Sequence, residues 1–324
     1  MPMEYGKIEG VDKPISRILH GTIMLKTDEE EKGFDLLDGV YALGVNAFDC
    51  AHIYGGGQCE RVLGKWIESR GIRDKVVILT KGAHHSGDRK RVTPFDITSE
   101  LYDSFARCRT DFIDIYVLHR DDPDVEVGPI VEVFNEHKAA GRIGVFGGSN
   151  WTVPRIQEAN EYAYKHNLIP FAVSSPNYSL AEQVKEPWAD CISLSGPEND
   201  ANRAWYSEQK MPLFTWSSLA QGFLSGRFTR ETFEAYKENL PESCVEAYCY
   251  EQNFKRLDRA GELAAEKGLS VPQIGLAFIL NQPLNIFSLV GVFHPDECKA
   301  NIEALNLKLS EPELDWLDLR RDDR

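Results

Sequence analysis

The chain reads as an α/β protein: a (β/α)8 barrel of the TIM type behind a short N-terminal β-hairpin. Three observations predict it. Short apolar runs alternate with helical or loop segments eight times, the pattern of parallel strands covered on both faces. The polar residues that interrupt this pattern fall at strand ends, where a barrel builds its sites. No Gly-x-Gly-x-x-Gly follows the first strand, where an open dinucleotide-binding sheet carries its fingerprint.

Tyr5 to Ile8 and Ser16 to His20 flank Gly10 to Pro14, a hairpin leading into a first strand at Arg17 to His20. Glu29 to Leu43 is amphipathic and stops at Gly44. Val45 to Phe48 is the second strand, and the run Gly55-Gly56-Gly57 demands a tight turn. Helix Glu60 to Arg70 precedes strand Val76 to Thr80. Helix Phe95 to Arg109 precedes strand Phe112 to Leu118. Helix Val127 to Ala140 precedes strand Ile143 to Phe146, and the helix from Thr152 to His166 precedes strand Phe171 to Ser174. Lys185 to Asn202 is poorly patterned and reads as loop with a short helix. Strand Leu213 to Trp216 leads into a glycine-punctuated loop, Ser217 to Gly226, and Arg230 to Tyr250 reads as irregular. Helices Asn253 to Lys267 and Val271 to Leu280, strand Ile286 to Val290 and helix Pro295 to Leu305 complete the repeat. With neither linker nor low-complexity segment, residues 1–324 are expected to form one barrel domain.

The 324 residues are 42% hydrophobic and 27% charged, enough for one large core. A net charge of −15 disfavours nucleic acid and anionic membranes as partners. The seven cysteines are odd in number and form no Cys-x-x-Cys pair, which points away from a zinc ribbon and towards a reducing cytoplasm. No apolar run approaches the ~18 residues of a membrane span. Oligomeric state is left open.

The chemistry gathers at four strand ends. Asp49 and Tyr54 follow the second strand, Lys81 ends the third, and His119 ends the fourth. Adjacent barrel strands carry all four to one mouth. Tyrosine is a poor acid in water, with a pKa near ~10. Lys81 is expected to lower that value, Asp49 to hold Lys81, and His119 to bond the oxygen that receives the proton. Asp49 and Lys81 alone would pass for a structural ion pair at the rim. With Tyr54 and His119 in register they suggest acid catalysis on a carbonyl. His84-His85 beside His52 and His119 raises a metal site, but no acidic ligand stands at suitable spacing, so none is expected and His84-His85 is assigned to a surface loop.

The motifs Phe-Asp-Cys-Ala-His-Ile-Tyr-Gly, Leu-Thr-Lys-Gly, Val-Leu-His-Arg, Gly-Ser-Asn-Trp and Ser-Leu-Ala-Gln-Gly-Phe-Leu-Ser-Gly together resemble the aldo-keto reductase superfamily from about Ser16 to Leu314. The resemblance implies a barrel that binds a nicotinamide dinucleotide. Tyr54 would be the proton donor, with Asp49, Lys81 and His119 completing a tetrad. Relatives that reduce carbon–carbon double bonds carry glutamate where His119 stands, so histidine implies carbonyl or alcohol substrates. Ser149 and Asn150 would hold the carboxamide, with Ser175 where the family usually has glutamine. Trp216 would stack on the nicotinamide, and Gly21, Thr22 and Asp49 would lie near it. Ser217, Leu219, Gln221 and Gly222 belong to the loop expected to strap the pyrophosphate. Near the adenosine end, Glu297, before Asn301, stands where a basic or neutral polar residue is frequent, so either NAD(H) or NADP(H) is expected, with NAD(H) slightly favoured. Acids after Pro295 are also ordinary in a first helical turn. The implied activity is hydride exchange between nicotinamide and an aldehyde, ketone, sugar or polyol. The alternative is a non-enzymatic subunit of the same fold that senses bound nucleotide.

Overall fold

The computed structural model describes residues 2–324. The hairpin consists of β1 (Tyr5–Ile8) and β2 (Val11–Ser16), antiparallel with Ile8 opposite Val11. Eight further strands follow: β3 (Ile18–Gly21), β4 (Ala47–Asp49), β5 (Val77–Gly82), β6 (Ile113–Leu118), β7 (Ile143–Ser149), β8 (Val173–Ser175), β9 (Leu213–Thr215) and β10 (Ile286–Val290). Their order, β10-β3-β4-β5-β6-β7-β8-β9, is that of a closed barrel, with parallel pairing from β3 through β8 and between β9 and β10. All residues of β5, β6 and β7 are buried, as expected of strands covered on both faces.

Helices intervene: α1 (Glu30–Ala42), α2 (Gln58–Arg70), α3 (Pro94–Cys108), α4 (Val127–Ala139), α5 (Val153–Lys165), α6 (Asp200–Gln209), α7 (Phe233–Tyr236), α8 (Glu242–Tyr248), α9 (Glu251–Lys267), α10 (Val271–Leu280), α11 (Pro295–Glu303) and α12 (Glu311–Leu317). Local sequence sets their ends. Thr93 caps α3 by accepting from the Asp96 N–H, with Pro94 in the first turn. Gly71 and Gly268 close α2 and α9 in the left-handed conformation. Among the described residues no single helix is long and apolar enough to cross a membrane.

The chain packs as two compact units. One comprises Pro2–Ser175 with Gly291–Cys298, and the other Pro176–Val290 with Lys299–Arg324. In the first, Phe134, Phe146 and Phe171 meet at ring-centroid distances of 4.8 to 5.8 Å. In the second, Phe223, Phe228, Phe233 and Phe254 form the corresponding aromatic cluster.

Several boundaries differ from the sequence reading. The second barrel strand is Ala47–Asp49 rather than Val45 to Phe48, so Asp49 lies within it. The strand expected to stop at Phe146 runs to Ser149, because Gly147 and Gly148 pair with β6 on one side and β8 on the other. That neighbouring strand is Val173–Ser175 rather than Phe171 to Ser174. Helix α6 was not expected beyond Asn202. It buries only Tyr206 of its ten residues, so it has no apolar stripe to read. Short helices α7 and α8 occupy part of the stretch read as irregular, and α12 lies beyond the last element expected.

Candidate active site

The parallel ladder continues past the strands and carries the polar residues with it. The Thr22 N–H donates to the Asp49 carbonyl at 2.9 Å, Cys50 to Leu79 at 2.8 Å, His52 to Lys81 at 2.8 Å, and His119 to Gly82 at 2.7 Å. These bonds fix the ends of β3 to β6 in register, so Asp49, Lys81 and His119 arrive side by side. All three are buried, while Tyr54 is partly exposed. Tyr54 stands in the turn made by Gly55, Gly56 and Gly57, whose φ values of 56°, 62° and 88° suit glycine.

The Lys81 ammonium is the hub. Its Nζ donates to Asp49 Oδ1 at 2.5 Å, to the Cys50 carbonyl at 2.9 Å and to the Tyr54 hydroxyl at 3.4 Å. The His119 ring meets the Tyr54 ring edge to face, with centroids 5.6 Å apart. Burial acts against the Lys81 charge, but Asp49, Tyr54 and Cys50 outweigh it and hold Lys81 above its ordinary value. Burial raises the Asp49 carboxyl, with Lys81 pulling against it. Burial, then the charges of Lys81 and Arg120, push His119 well below its ordinary value, so its imidazole is neutral near pH 7.

One expectation is corrected here. Lys81 was expected to bring Tyr54 below the ordinary phenol value. In the structure Tyr54 lies above it, because desolvation of the hydroxyl outweighs Lys81 and Asp49 adds to the rise. Lys81 does act in the expected direction, as the strongest influence opposing burial.

Beside this cluster, the Ser149 hydroxyl donates to the Ser175 carbonyl at 2.8 Å. Asn150, at φ 59°, donates from Nδ2 to Ser149 Oγ and to the His119 carbonyl, each at 3.2 Å. Thr22 Oγ1 donates to the Asp49 carbonyl at 2.9 Å, next to half-buried Gly21. Glu297 accepts from the Phe293 N–H at 2.8 Å, bonding back to a residue two positions before its own helix.

In the second unit, Trp216 is half-buried, with Trp188 tilted against it at 6.1 Å between ring centroids. Ser217, Ala220, Gln221 and Gly222 all have positive φ, so the loop turns sharply through Leu219. Ser243 Oγ donates to Gln221 Oε1 at 2.6 Å, and Asn301 is buried on α11.

Within this unit the Trp216 indole N–H and the Gln221 side-chain amide nitrogen are buried without a hydrogen-bond partner among the described residues. Unpaired buried donors are costly unless a ligand meets them. Such groups beside a run of left-handed backbone fit a polar ligand bearing carbonyl and phosphate oxygens.

Sequence reasoning missed His84, Arg120 and Arg107. His84 is half-buried rather than a surface residue, and its ring lies edge-on to His119 at 4.8 Å. Its signal was its place three residues after Lys81. Arg120, buried directly after His119, donates to the His119 carbonyl at 2.9 Å. Arg107 belongs to α3, whose pairing with the Tyr54 turn leaves no periodic trace. Among the described residues no group of three or more His, Cys, Asp or Glu is arranged to hold a metal ion.

Comparisons with known proteins agree with this architecture. Protein tas of Escherichia coli is 27% identical over 342 aligned positions, covering 95% of each chain. The probable aryl-alcohol dehydrogenase AAD4 of Saccharomyces cerevisiae is 25% identical, covering 89% of this chain and 87% of that protein. The crystal structure of an aldo-keto reductase from Klebsiella pneumoniae in complex with NADPH superposes with a TM-score of 0.72, covering 99% of this chain and 95% of that one; at 22% identity the likeness speaks for the fold. The family model described as "Aldo/keto reductase family" matches residues 17–319, and the chain belongs to that family.

Proposed function

We propose that this protein is an NAD(P)-dependent oxidoreductase that interconverts a small aldehyde or ketone and its alcohol, with Tyr54 as the group that gives and takes the proton. The observation that carries the reading is the Lys81 ammonium, buried and bonded to both Asp49 and the Tyr54 hydroxyl. A structural ion pair would not need a phenol on its third side.

Asp49 holds Lys81 in place. Lys81 stabilises the Tyr54 phenolate once the proton has left. Neutral His119 can bond a carbonyl oxygen without competing for the proton. Ser149, Asn150, Ser175, Trp216 and the Ser217–Gly222 stretch would hold the dinucleotide, with Gly21, Thr22, Glu297 and Asn301 as further cofactor-contact candidates. The nicotinamide, when bound, supplies or accepts the hydride. Trp188 is half-exposed beside Trp216, and one relative is named as an aryl-alcohol dehydrogenase. Both favour an aromatic aldehyde or alcohol over a polyol as the first substrate to try.

The test is Tyr54→Phe, assayed by the absorbance of reduced nicotinamide against aromatic and aliphatic aldehydes and secondary alcohols. Turnover falls by a factor of ~10² to 10⁴ while cofactor affinity is retained. Wild-type turnover in the variant would overturn the proton-donor assignment. Cofactor binding without turnover on any compound, in wild type, would favour a nucleotide-sensing subunit.

A further inference from the structure

Glu60 and Arg107 lie behind the turn that carries Tyr54. Glu60 is wholly buried on α2. Its Oε1 accepts from the Thr80 and Ser104 hydroxyls, each at 2.7 Å, and its Oε2 accepts from Arg107 Nη1 at 3.2 Å. Thr80 precedes Lys81 on β5, and Ser104 and Arg107 share one face of α3. The same Arg107 Nη1 donates to the His52 carbonyl at 2.9 Å. Arg107 Nη2 reaches Asp103 at 3.6 Å, and Asp103 in turn meets the His52 ring at 3.0 Å.

The other end of the turn closes on the same guanidinium. A Cβ added at Gly57, where φ is 88°, would lie 2.6 Å from Arg107 Cζ. Arg107 therefore touches the turn at His52 and at Gly57, with Tyr54 between them. Burying a carboxylate is costly unless its lone pairs are met. The two hydroxyls and the guanidinium meet those of Glu60.

We propose that Arg107, anchored by Glu60, is a positioning residue that fixes the His52–Gly57 turn so that the Tyr54 hydroxyl faces the Lys81 ammonium. The proposal rests on the reading of Tyr54 as proton donor. Arginine suits the role because its planar fork serves a carboxylate and a carbonyl together, whereas lysine offers one compact charge.

The experiment compares Arg107→Met, Arg107→Lys and Gly57→Ala, each in wild type and in Tyr54→Phe. A group moved by about 1 Å loses up to about 10²-fold in rate. Arg107→Met therefore lowers kcat by about 10- to 100-fold with cofactor affinity retained. Arg107→Lys recovers part of the loss, because it keeps the charge beside Glu60 but not the fork. Gly57→Ala, which removes neither member of the ion pair, also lowers kcat and is the variant to read where Arg107→Met folds poorly. In the Tyr54→Phe background these substitutions cost no more than about twofold, because the hydroxyl they would misplace is gone. Equal losses in both backgrounds would assign Arg107 a purely structural role and overturn the proposal. Full turnover in Arg107→Met and Gly57→Ala beside an inactive Tyr54→Phe would overturn this proposal alone. Full turnover in Tyr54→Phe would overturn the proton-donor reading, and this one with it.

Discussion

At the scale of single residues, the site sets opposing forces on one hydroxyl. Burial and Asp49 raise the Tyr54 value, and Lys81 lowers it. On the proposed chemistry, alcohol oxidation needs the phenolate, so its rate rises with pH through the Tyr54 value. Removing the cation in Lys81→Met leaves only the raising influences, and the rise moves to higher pH. Removing the negative charge in Asp49→Asn does the reverse, and the rise moves to lower pH while Lys81 keeps its charge. Opposite displacements of the two profiles are the expected result. Displacement in the same direction, or none, would mean that neither charge acts through Tyr54. His119 is held neutral, so neither profile carries an acid limb from it near its ordinary ~6.5.

At the scale of elements, two helical glycines separate packing from propensity. Alanine is favoured over glycine inside a helix by about 0.8–1 kcal/mol. At Gly261 on α9 an added Cβ meets nothing within 4 Å, so Gly261→Ala stabilises by roughly that amount. At Gly64 on α2 it would lie 2.5 Å from the Arg107 carbonyl oxygen on α3. Backbone cannot rotate away, so the helices must part, and overpacking of this kind costs about 1–3 kcal/mol. Gly64→Ala is therefore destabilising despite its propensity gain. Thermal unfolding of the two variants decides it, and equal signs would contradict the close approach of α2 and α3. The same contrast explains what was legible in the sequence. Strands β5 and β6 could be read because every residue is buried, giving mostly apolar runs, Val77 to Leu79 in β5 and Ile115 to Leu118 in β6. Asp49, Tyr54, Lys81 and His119 could be read because they interrupt those runs at their ends. Helix α6 could not, because it buries a single side chain, and β7 was cut short because Gly147-Gly148 looks like a turn until its two neighbours are known. The Arg107–Glu60 contact joins residues 47 apart, and no local pattern encodes it. The sign of the Tyr54 shift was beyond reach for a related reason: the sequence names the cation but not how completely water is excluded.

At the scale of the whole molecule, the question is how an acidic protein chooses between two anionic cofactors. The net charge of −15 disfavours both, and more so the one with a 2′-phosphate. Between Gly291 and Cys298 there is no Lys or Arg to offset it. Glu297 already occupies the Phe293 N–H, a donor that a phosphate at this helix start could otherwise use. His294 faces Asp296 at 3.3 Å, so its positive charge, when present, is partly spent locally. A carboxylate ~5 Å from a phosphate charge costs about 3 kcal/mol at an effective dielectric of ~20, before salt and side-chain rotation reduce it. On the proposed placement of the adenosine end, NAD(H) is therefore used at least as well as NADP(H). Glu297→Arg frees the Phe293 N–H and reverses the local charge, moving the kcat/KM ratio towards NADPH by at least about tenfold, the part of that energy expected to survive screening. Added salt narrows the wild-type difference, because it weakens the repulsion felt by the more highly charged cofactor. A wild type that prefers NADPH by more than about tenfold, or a Glu297→Arg variant whose ratio stays put, would remove Glu297 from cofactor choice and leave it as the residue that closes the first turn of its own helix.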